Sequence, residues 1–337
     1  MSVGVENQPV ALLGDGAEAP PRSPSCYKSA CPLYSDPEND TVQRFIYNWL
    51  RGATSCGFAS LDDLVENGTW DELKMSLAFT GMRYEGTKLA KDLLRYLSDL
   101  QEGGGLKTSE WTAVEAGPGA ADQLYFFTEQ FKKLVGVEFD ETVYKVAASI
   151  KDKLSQSRHG AKAVGNVELV CDDICHYMKE NNDVQLLLMS MTMCHIPMDQ
   201  KWSLIDTIGK SGVQIFVLSC IFKGAGFDGE STFAGIELAT VAEHLQHLDK
   251  AGFVLVRMSK EEGWRDFVRK RYEAFMKDHV KEEFVKAVSA SAYESQLGFF
   301  CTVHKAFGRG MEGSTLILMR KQLASQLGVP SVELDRQ

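Results

Sequence analysis

Two hydrophobic periods divide the chain. From Asp40 to about Leu100 the apolar residues recur at helical spacing: Phe45, Ile46, Trp49 and Leu50 form one stripe, and Leu73, Leu77, Leu89, Leu93, Leu94 and Leu97 form others. Repeats of three and four give each helix one apolar face to bury. Gly52, Gly57, Gly68 and Gly81 cut this stretch into three or four helices, and Gly103-Gly104-Gly105 ends it as a linker. Beyond the linker, apolar runs of strand length alternate with amphipathic stretches, as in a parallel sheet flanked by helices. The pattern predicts strands at 112–116, 134–138, 167–171, 184–190, 213–219, 252–257 and 314–320. It predicts helices over Ala121–Lys133, Glu141–Ser155, Gln200–Lys210 and Thr232–Ala251, the last stopped by Gly252. A long insertion, Ser259–Gly313, separates the sixth and seventh strands and carries Trp264, Phe267, Arg271, Tyr272 and Phe275 at helix-like spacing. The expected organisation is a disordered leader over 1–35, a helical lid over 36–105, an α/β domain over 106–323 and a tail over 324–337. The leader is rich in Pro, Gly, Ser and Ala, too poor in apolar surface to fold.

Composition narrows the function by exclusion. The 337 residues are 44% hydrophobic and 24% charged, ordinary for a folded domain, and carry a net charge of −10. With a pI near 5.3 the chain lacks the clustered Lys and Arg that displace counterions from nucleic acid. No apolar run nears the roughly 20 residues that span a bilayer, so a membrane partner is not expected. The N-terminus reads as neither a signal nor a transit peptide, and a cytoplasmic location is expected. Eight cysteines contain no CxxC pair, and Cys171 and Cys175 have no second pair to complete a zinc site, so reduced, mostly buried thiols and no metal are expected.

The candidate chemistry lies between Thr112 and Asp140. An apolar run ending at Glu115 meets Gly117-Pro118-Gly119, then an amphipathic stretch, then a second run that delivers Glu138 to a strand end. Glycine lets backbone approach a ligand closely, and open α/β sheets bind ligands at the carboxyl ends of their strands. A carboxylate at Glu138 suits the two hydroxyls of a ribose; the bland alternative is a helix-capping acid. A dinucleotide fingerprint would need a third glycine where Asp122 stands. Glu115 is placed to accept hydrogen bonds from a ligand ammonium, or alternatively from the amides of the turn.

The pattern V-E-A-G-P-G followed by V-G-V-E resembles motifs I and II of the class I S-adenosylmethionine-dependent methyltransferases, over about residues 107–321. The resemblance implies a Rossmann-like, seven-stranded, mostly parallel sheet with helices on both faces, and S-adenosylmethionine as cofactor. By position it implies that Gly117 and Gly119 lie under the methionine and ribose, that Glu115 reaches the amino group, and that Glu138 holds the ribose. It further implies that Asp173, or Asp172, bonds the adenine amino group, that Ile174 packs on the ring, and that Phe139 covers its other face. Met191, Thr192 and Met193 would stand between cofactor and acceptor, although alternating methionines also suit a strand core. His195 is the candidate base, with a packing role as its alternative.

The C-terminal part, through WRDFVRKRYEAFMK and FFCTVHKAFGRGMEGSTLILMRK, is similar to small-molecule methyltransferases of the glycine/sarcosine type. That likeness implies a pocket for a small carboxylated acceptor, methylated at nitrogen or sulfur. Arg265, Arg269, Arg271 and Arg309 are candidates for gripping its carboxylate, and Trp202, Trp264 and Tyr272 for an aromatic wall. The N-terminal helices replace that family's WGG-type segment. The alternatives are O-methylation of a small hydroxylated metabolite and a non-catalytic cofactor-binding scaffold. A monomer and a homodimer are equally compatible.

Overall fold

The computed structural model describes residues 39–80, 88–103, 105–228, 232–233 and 236–332, so the expected leader lies outside the described residues. The N-terminal stretch forms α1 (Asp40–Ser55), α2 (Leu61–Asn67), α3 (Trp70–Leu77) and α4 (Lys88–Glu102). Their starts are capped by side chains, which satisfy the N–H groups that have no partner at a helix start. Asn39 accepts from Thr41 and Val42, and Thr69 with Glu72 closes a capping box.

Seven strands build the main sheet in the order β3-β2-β1-β4-β5-β9-β8. These are β1 (Thr112–Ala116), β2 (Lys133–Glu138), β3 (Val167–Cys171), β4 (Leu186–Ser190), β5 (Ile215–Lys223), β8 (Phe253–Lys260) and β9 (Met311–Arg320); β6 (Thr232–Phe233) and β7 (Ile236–Glu237) make a separate two-stranded pair. Only β9 runs antiparallel to its neighbours in the main sheet. All seven predicted strands are present, with β5, β8 and β9 longer than the pattern indicated. The strand order reverses between β1 and β4, the switch point at which open α/β sheets leave a crevice. The remaining helices are α5 (Glu141–Ser155), α6 (Gly160–Val164), α7 (Ile174–Glu180), α8 (Met198–Lys210), α9 (Val241–Lys250), α10 (Gly263–Phe275), α11 (Asp278–Ala287), α12 (Ala290–Gly308) and α13 (Lys321–Leu327).

Two predicted helices differ. Over Ala121–Lys133 the chain makes turns and one short 3-10 stretch, Leu124–Phe127, because Ala121 takes a left-handed φ of 61° from which an α-helix does not start. The sheet face that such a helix would cover is filled from the N-terminal side. Leu73, Leu77, Leu93 and Leu97 share one core with Leu134, Leu186, Ile215 and Ile317, and Trp70 meets the buried Tyr125 ring edge-on at 6.2 Å. Over Thr232–Ala251 the helix begins only at Val241, where Thr240 and Glu243 form a capping box; β6 and β7 lie before it. The expected tail starts inside α13, and Val332 N–H donates to Leu255 O, which ties it to β8.

The insertion between β8 and β9 is helical, as its spacing predicts, and it clasps α1. Tyr47 of α1 sits in an aromatic cluster with Phe275, Phe284, Tyr293 and Phe300, its ring 5.4 Å from that of Phe284. Ser289 Oγ donates to Asp40 Oδ2 at 2.8 Å, and Arg44 Nη1 to Gln296 Oε1 at 3.4 Å. Of the six described cysteines only Cys194 and Cys220 are buried; Cys171 is exposed and the other three are half-buried, which corrects the expectation of mostly buried thiols.

Candidate active site

A cavity of about 680 Å³ opens at the carboxyl ends of β1 to β4. Its floor is the turn after β1. Gly117, at φ 60°, donates its N–H to Val137 O at 2.8 Å. A Cβ built there would lie 2.7 Å from Thr192 Oγ1, whose hydroxyl donates to Ala116 O. Only glycine satisfies both the left-handed backbone and that contact. Gly119, at φ 61°, shares the left-handed backbone but not the close contact: a Cβ there would meet nothing within 4 Å and would project into open space beside the turn.

Glu138, at the end of β2, is tied to this turn. Its Oε2 accepts from Gly119 N–H at 3.1 Å and its Oε1 from Asp140 N–H at 3.1 Å. Burial raises its pKa, and these backbone donors oppose the shift. Asp140, not Glu138, caps α5 through Thr142 and Val143 N–H, so the capping alternative for Glu138 does not describe its contacts. Phe139 lines the cavity and is 76% exposed, a rare placement for a large apolar ring. After β3, Asp173 caps α7 through Oδ1 alone, accepting from Cys175 and His176 N–H. Asp172 accepts from Asp173 N–H and pairs with His176 Nδ1 at 2.8 Å, which raises the His176 pKa. Both carboxylates and Ile174 line the cavity.

Beyond β4, Met191 takes a φ of 58°, unusual for a side chain of its size and common at binding sites. His195 lines the same wall; desolvation first, then the charge of Lys201, lowers its pKa, while the water-accessible ring limits that effect. The roof comes from elsewhere in the chain, with Arg44 and Phe45 of α1, Thr80 after α3 and Phe299 of α12. Desolvation lowers the Arg44 pKa.

A second, smaller chamber of about 50 Å³ shares Ser190 and Met191 with the large cavity. It lies over β5, β9 and β8 beneath α4, and Trp264 forms part of its wall.

The cavity thus gathers Gly117, Gly119, Asp122, Glu138, Phe139, Asp172, Asp173, Ile174, Met191, Thr192 and His195. Glu115 is fully buried below the turn and does not line the cavity, and Met193 packs in the core behind β4. The arginines of the insertion are not brought to it. Arg269 is held on the helix surface by Glu273 at 2.9 Å and Asp266 at 3.5 Å, and Arg265 and Arg309 are exposed. The Arg271 guanidinium lies 5.1 Å from the Phe267 ring centre, and burial lowers its pKa to about 10. Tyr272 stacks near His304, and Trp202 stacks on His247 at 4.1 Å, away from the cavity. The spacing of residues along the insertion revealed its helices but not which face meets the cavity. Arg44, Phe45, Thr80 and Phe299 were missed as cavity residues, and only the apolar stripe containing Phe45 hinted at them.

No family model matches the chain, and no curated protein matches it in sequence. Solved structures do match in fold. A phosphoethanolamine N-methyltransferase 2 from Haemonchus contortus, in complex with S-adenosyl-L-methionine, superposes with a TM-score of 0.56 at 17% identity, over 79% of this chain and 60% of that one. A provisionally assigned sarcosine dimethylglycine methyltransferase from Galdieria sulphuraria gives 0.53 at 12% identity, over 67% and 83%. A cyclopropane synthase from Mycobacterium tuberculosis gives 0.53 at 15%, over 71% and 88%. The chain has the fold of the class I S-adenosylmethionine-dependent methyltransferases.

Proposed function

We propose that this protein transfers a methyl group from S-adenosylmethionine to nitrogen or sulfur of a small carboxylated metabolite. The observation that carries the reading is the Gly117–Gly119 turn locked to Glu138, with Gly119 open to the cavity where a Cβ would stand. In this reading Glu138 receives the ribose hydroxyls on lone pairs that its two amide contacts leave over. Phe139 and Ile174 sandwich the adenine, and Asp173 or Asp172 accepts from its amino group. The bound sulfonium supplies an already activated methyl group. What this chain adds is alignment and exclusion of water, which contribute on the order of 7–11 kcal/mol when reactants are held in line. The roof of Arg44, Phe45, Thr80 and Phe299 would exclude water, which supports the N-terminal helices as a lid that also contributes to acceptor choice. A thioether acceptor needs no base, and an amine needs only its neutral form. His195, neutral above its lowered pKa, is available where a proton must leave.

The same fold occurs in a cyclase and in cyclopropane synthases, so the acceptor has to be read from the chamber beside the cavity rather than from the fold. Calorimetry with S-adenosylhomocysteine and NAD tests the cofactor. Micromolar binding of the first and none of the second is expected, and the reverse would overturn the reading. Release of S-adenosylhomocysteine with glycine, sarcosine, dimethylglycine, methionine and 4-methylthio-2-hydroxybutyrate tests the acceptor class. Turnover of a phenol, peptide or RNA instead of every small acid would overturn that part.

A further inference from the structure

One irregularity in the sheet completes the polar wall of the small chamber. From Phe253 to Leu255, β8 pairs with Arg320, Met319 and Leu318, and the register then slips so that Arg257 opposes Ile317 and Ser259 opposes Thr315. Val256 is the extra residue. Side chains alternate along a strand, so one extra residue moves every later one to the opposite face. Phe253 and Leu255 pack in the core with Leu316 and Leu318, whereas Arg257 and Ser259 stand on the face of Thr315 and Ile317, in the chamber.

The slip completes a row of hydroxyls across four adjacent strands. Ser190 pairs with Ser219, Ser219 with Thr315, and Thr315 with Ser259. Ser219 Oγ and Thr315 Oγ1 are 2.9 Å apart, and Gln123 Nε2 donates to Ser190 Oγ at 3.3 Å. The row ends on Glu261, only 9% exposed, which accepts from Ser259 at 3.0 Å, Thr315 at 3.2 Å and Lys88 Nζ at 3.0 Å. Lys88 also lies 3.7 Å from Asp92. Arg257, an exposed residue at the edge of this chamber, makes no hydrogen bond or ion pair among the described residues. Facing the row are Leu89, Leu93, Met191 and the Trp264 indole.

Resting on the cofactor reading above, we infer that this chamber binds the acceptor as a small zwitterion or hydroxy acid: Arg257 takes its carboxylate, while Glu261 and the hydroxyl row take its amine or hydroxyl. Ser190 and Met191, common to both spaces, are where acceptor and methyl donor meet. Three properties select this chemistry. A volume of about 50 Å³ admits the charged head of a small metabolite but no bulky group, and the rest of the acceptor reaches past Ser190 and Met191 toward the large cavity. Two cations, Lys88 and Arg257, stand against two carboxylates, Asp92 and Glu261, so a doubly charged phosphate finds no excess of positive charge. An indole beside a carboxylate favours an alkylammonium over an anion, and its ring also makes favourable contact with a thioether sulfur.

The test uses matched pairs that differ only in the carboxylate: sarcosine against dimethylamine, and 4-methylthio-2-hydroxybutyrate against 3-methylthiopropanol, with phosphoethanolamine added. The full chain is compared with Arg257→Gln and Arg257→Lys, and affinity for S-adenosylhomocysteine is measured for each. Wild type is expected to turn over an acid at least tenfold better than its decarboxylated partner, by kcat/KM, and to leave phosphoethanolamine unchanged. Arg257→Gln should raise the KM for the acid at least tenfold and abolish the preference, with S-adenosylhomocysteine bound within twofold of wild type. Arg257→Lys should restore part of the preference. An acid preference that survives Arg257→Gln, preferred turnover of phosphoethanolamine, or no turnover of any panel member by a protein that binds S-adenosylhomocysteine overturns the chamber assignment and leaves the cofactor reading standing. Failure of wild type to bind S-adenosylhomocysteine removes both.

Discussion

Replacing Glu138 separates a cofactor contact from a structural one. Each carboxylate oxygen already accepts one backbone N–H, from Gly119 and from Asp140, and each retains a lone pair for a ribose hydroxyl. Hydrogen bonds to a charged group are worth about 1.5–3 kcal/mol, so Glu138→Ala should weaken S-adenosylhomocysteine binding about 12- to 150-fold. The two freed amides border an open cavity and can turn to water, so the loss of folding stability should be smaller, about 1 kcal/mol. Glu138→Gln keeps the volume and one acceptor oxygen and should fall between wild type and alanine. The pH dependence gives an independent reading. Burial raises the Glu138 pKa, so cofactor affinity in the wild type should decline as pH falls through that raised value, because a protonated carboxyl loses acceptor capacity. In Glu138→Gln that limb should vanish. Calorimetry between pH 5 and pH 8 measures both effects. An affinity for Glu138→Ala within threefold of wild type, with an unchanged pH profile, would reduce Glu138 to a clip for the glycine turn and refute the ribose assignment.

The two turn glycines should respond differently to alanine. Gly117→Ala forces a Cβ to 2.7 Å from Thr192 Oγ1 and should lower both thermal stability and cofactor affinity; Gly119→Ala should fold with a loss of about 1–2 kcal/mol while S-adenosylhomocysteine affinity collapses, and equal effects in both assays would contradict this. His244 provides a pH test of stability. Its Nδ1 lies 2.9 Å from Thr240 O, its buried Nε2 has no hydrogen-bond partner among the described residues, and desolvation lowers its pKa from 6.5 to about 4. A depressed folded-state pKa means the stabilisation is present above about pH 6.5 and is lost as pH falls toward 4, by up to about 3 kcal/mol; His244→Phe should flatten that part of a denaturation-versus-pH curve, and an unchanged slope would refute the reading. Leu93→Ala, at a position 1% exposed, should cost about 2–5 kcal/mol by urea denaturation. A chain truncated to begin at Ser109 uncovers the Leu134, Leu186, Ile215 and Ile317 face and should neither stay soluble nor bind cofactor; normal turnover would show that the N-terminal helices are dispensable.

The chain's local chemistry determined a great deal by itself. Strand runs such as Leu134–Val137 and Leu186–Met189 are continuously apolar because both their faces are buried, and that is readable without coordinates. Gly117, Gly119 and Glu138 were legible because a left-handed turn and a strand-end acid are properties of a few adjacent residues. The tertiary structure decided what depends on residues far apart in the chain. Ala121–Lys133 has a helical pattern, but the surface such a helix would cover is taken by α1 to α4, whose apolar stripes needed the same sheet face. By local sequence Arg269 and Arg309 are indistinguishable from Arg44 and Arg257, which line the two cavities. Which arginines face a cavity follows from how α1 clasps α12, and from one extra residue, Val256, in β8. A bulge changes no composition and little of the local pattern, yet it turns every later side chain to the other face, so its effect becomes visible only once the neighbouring strand fixes the register.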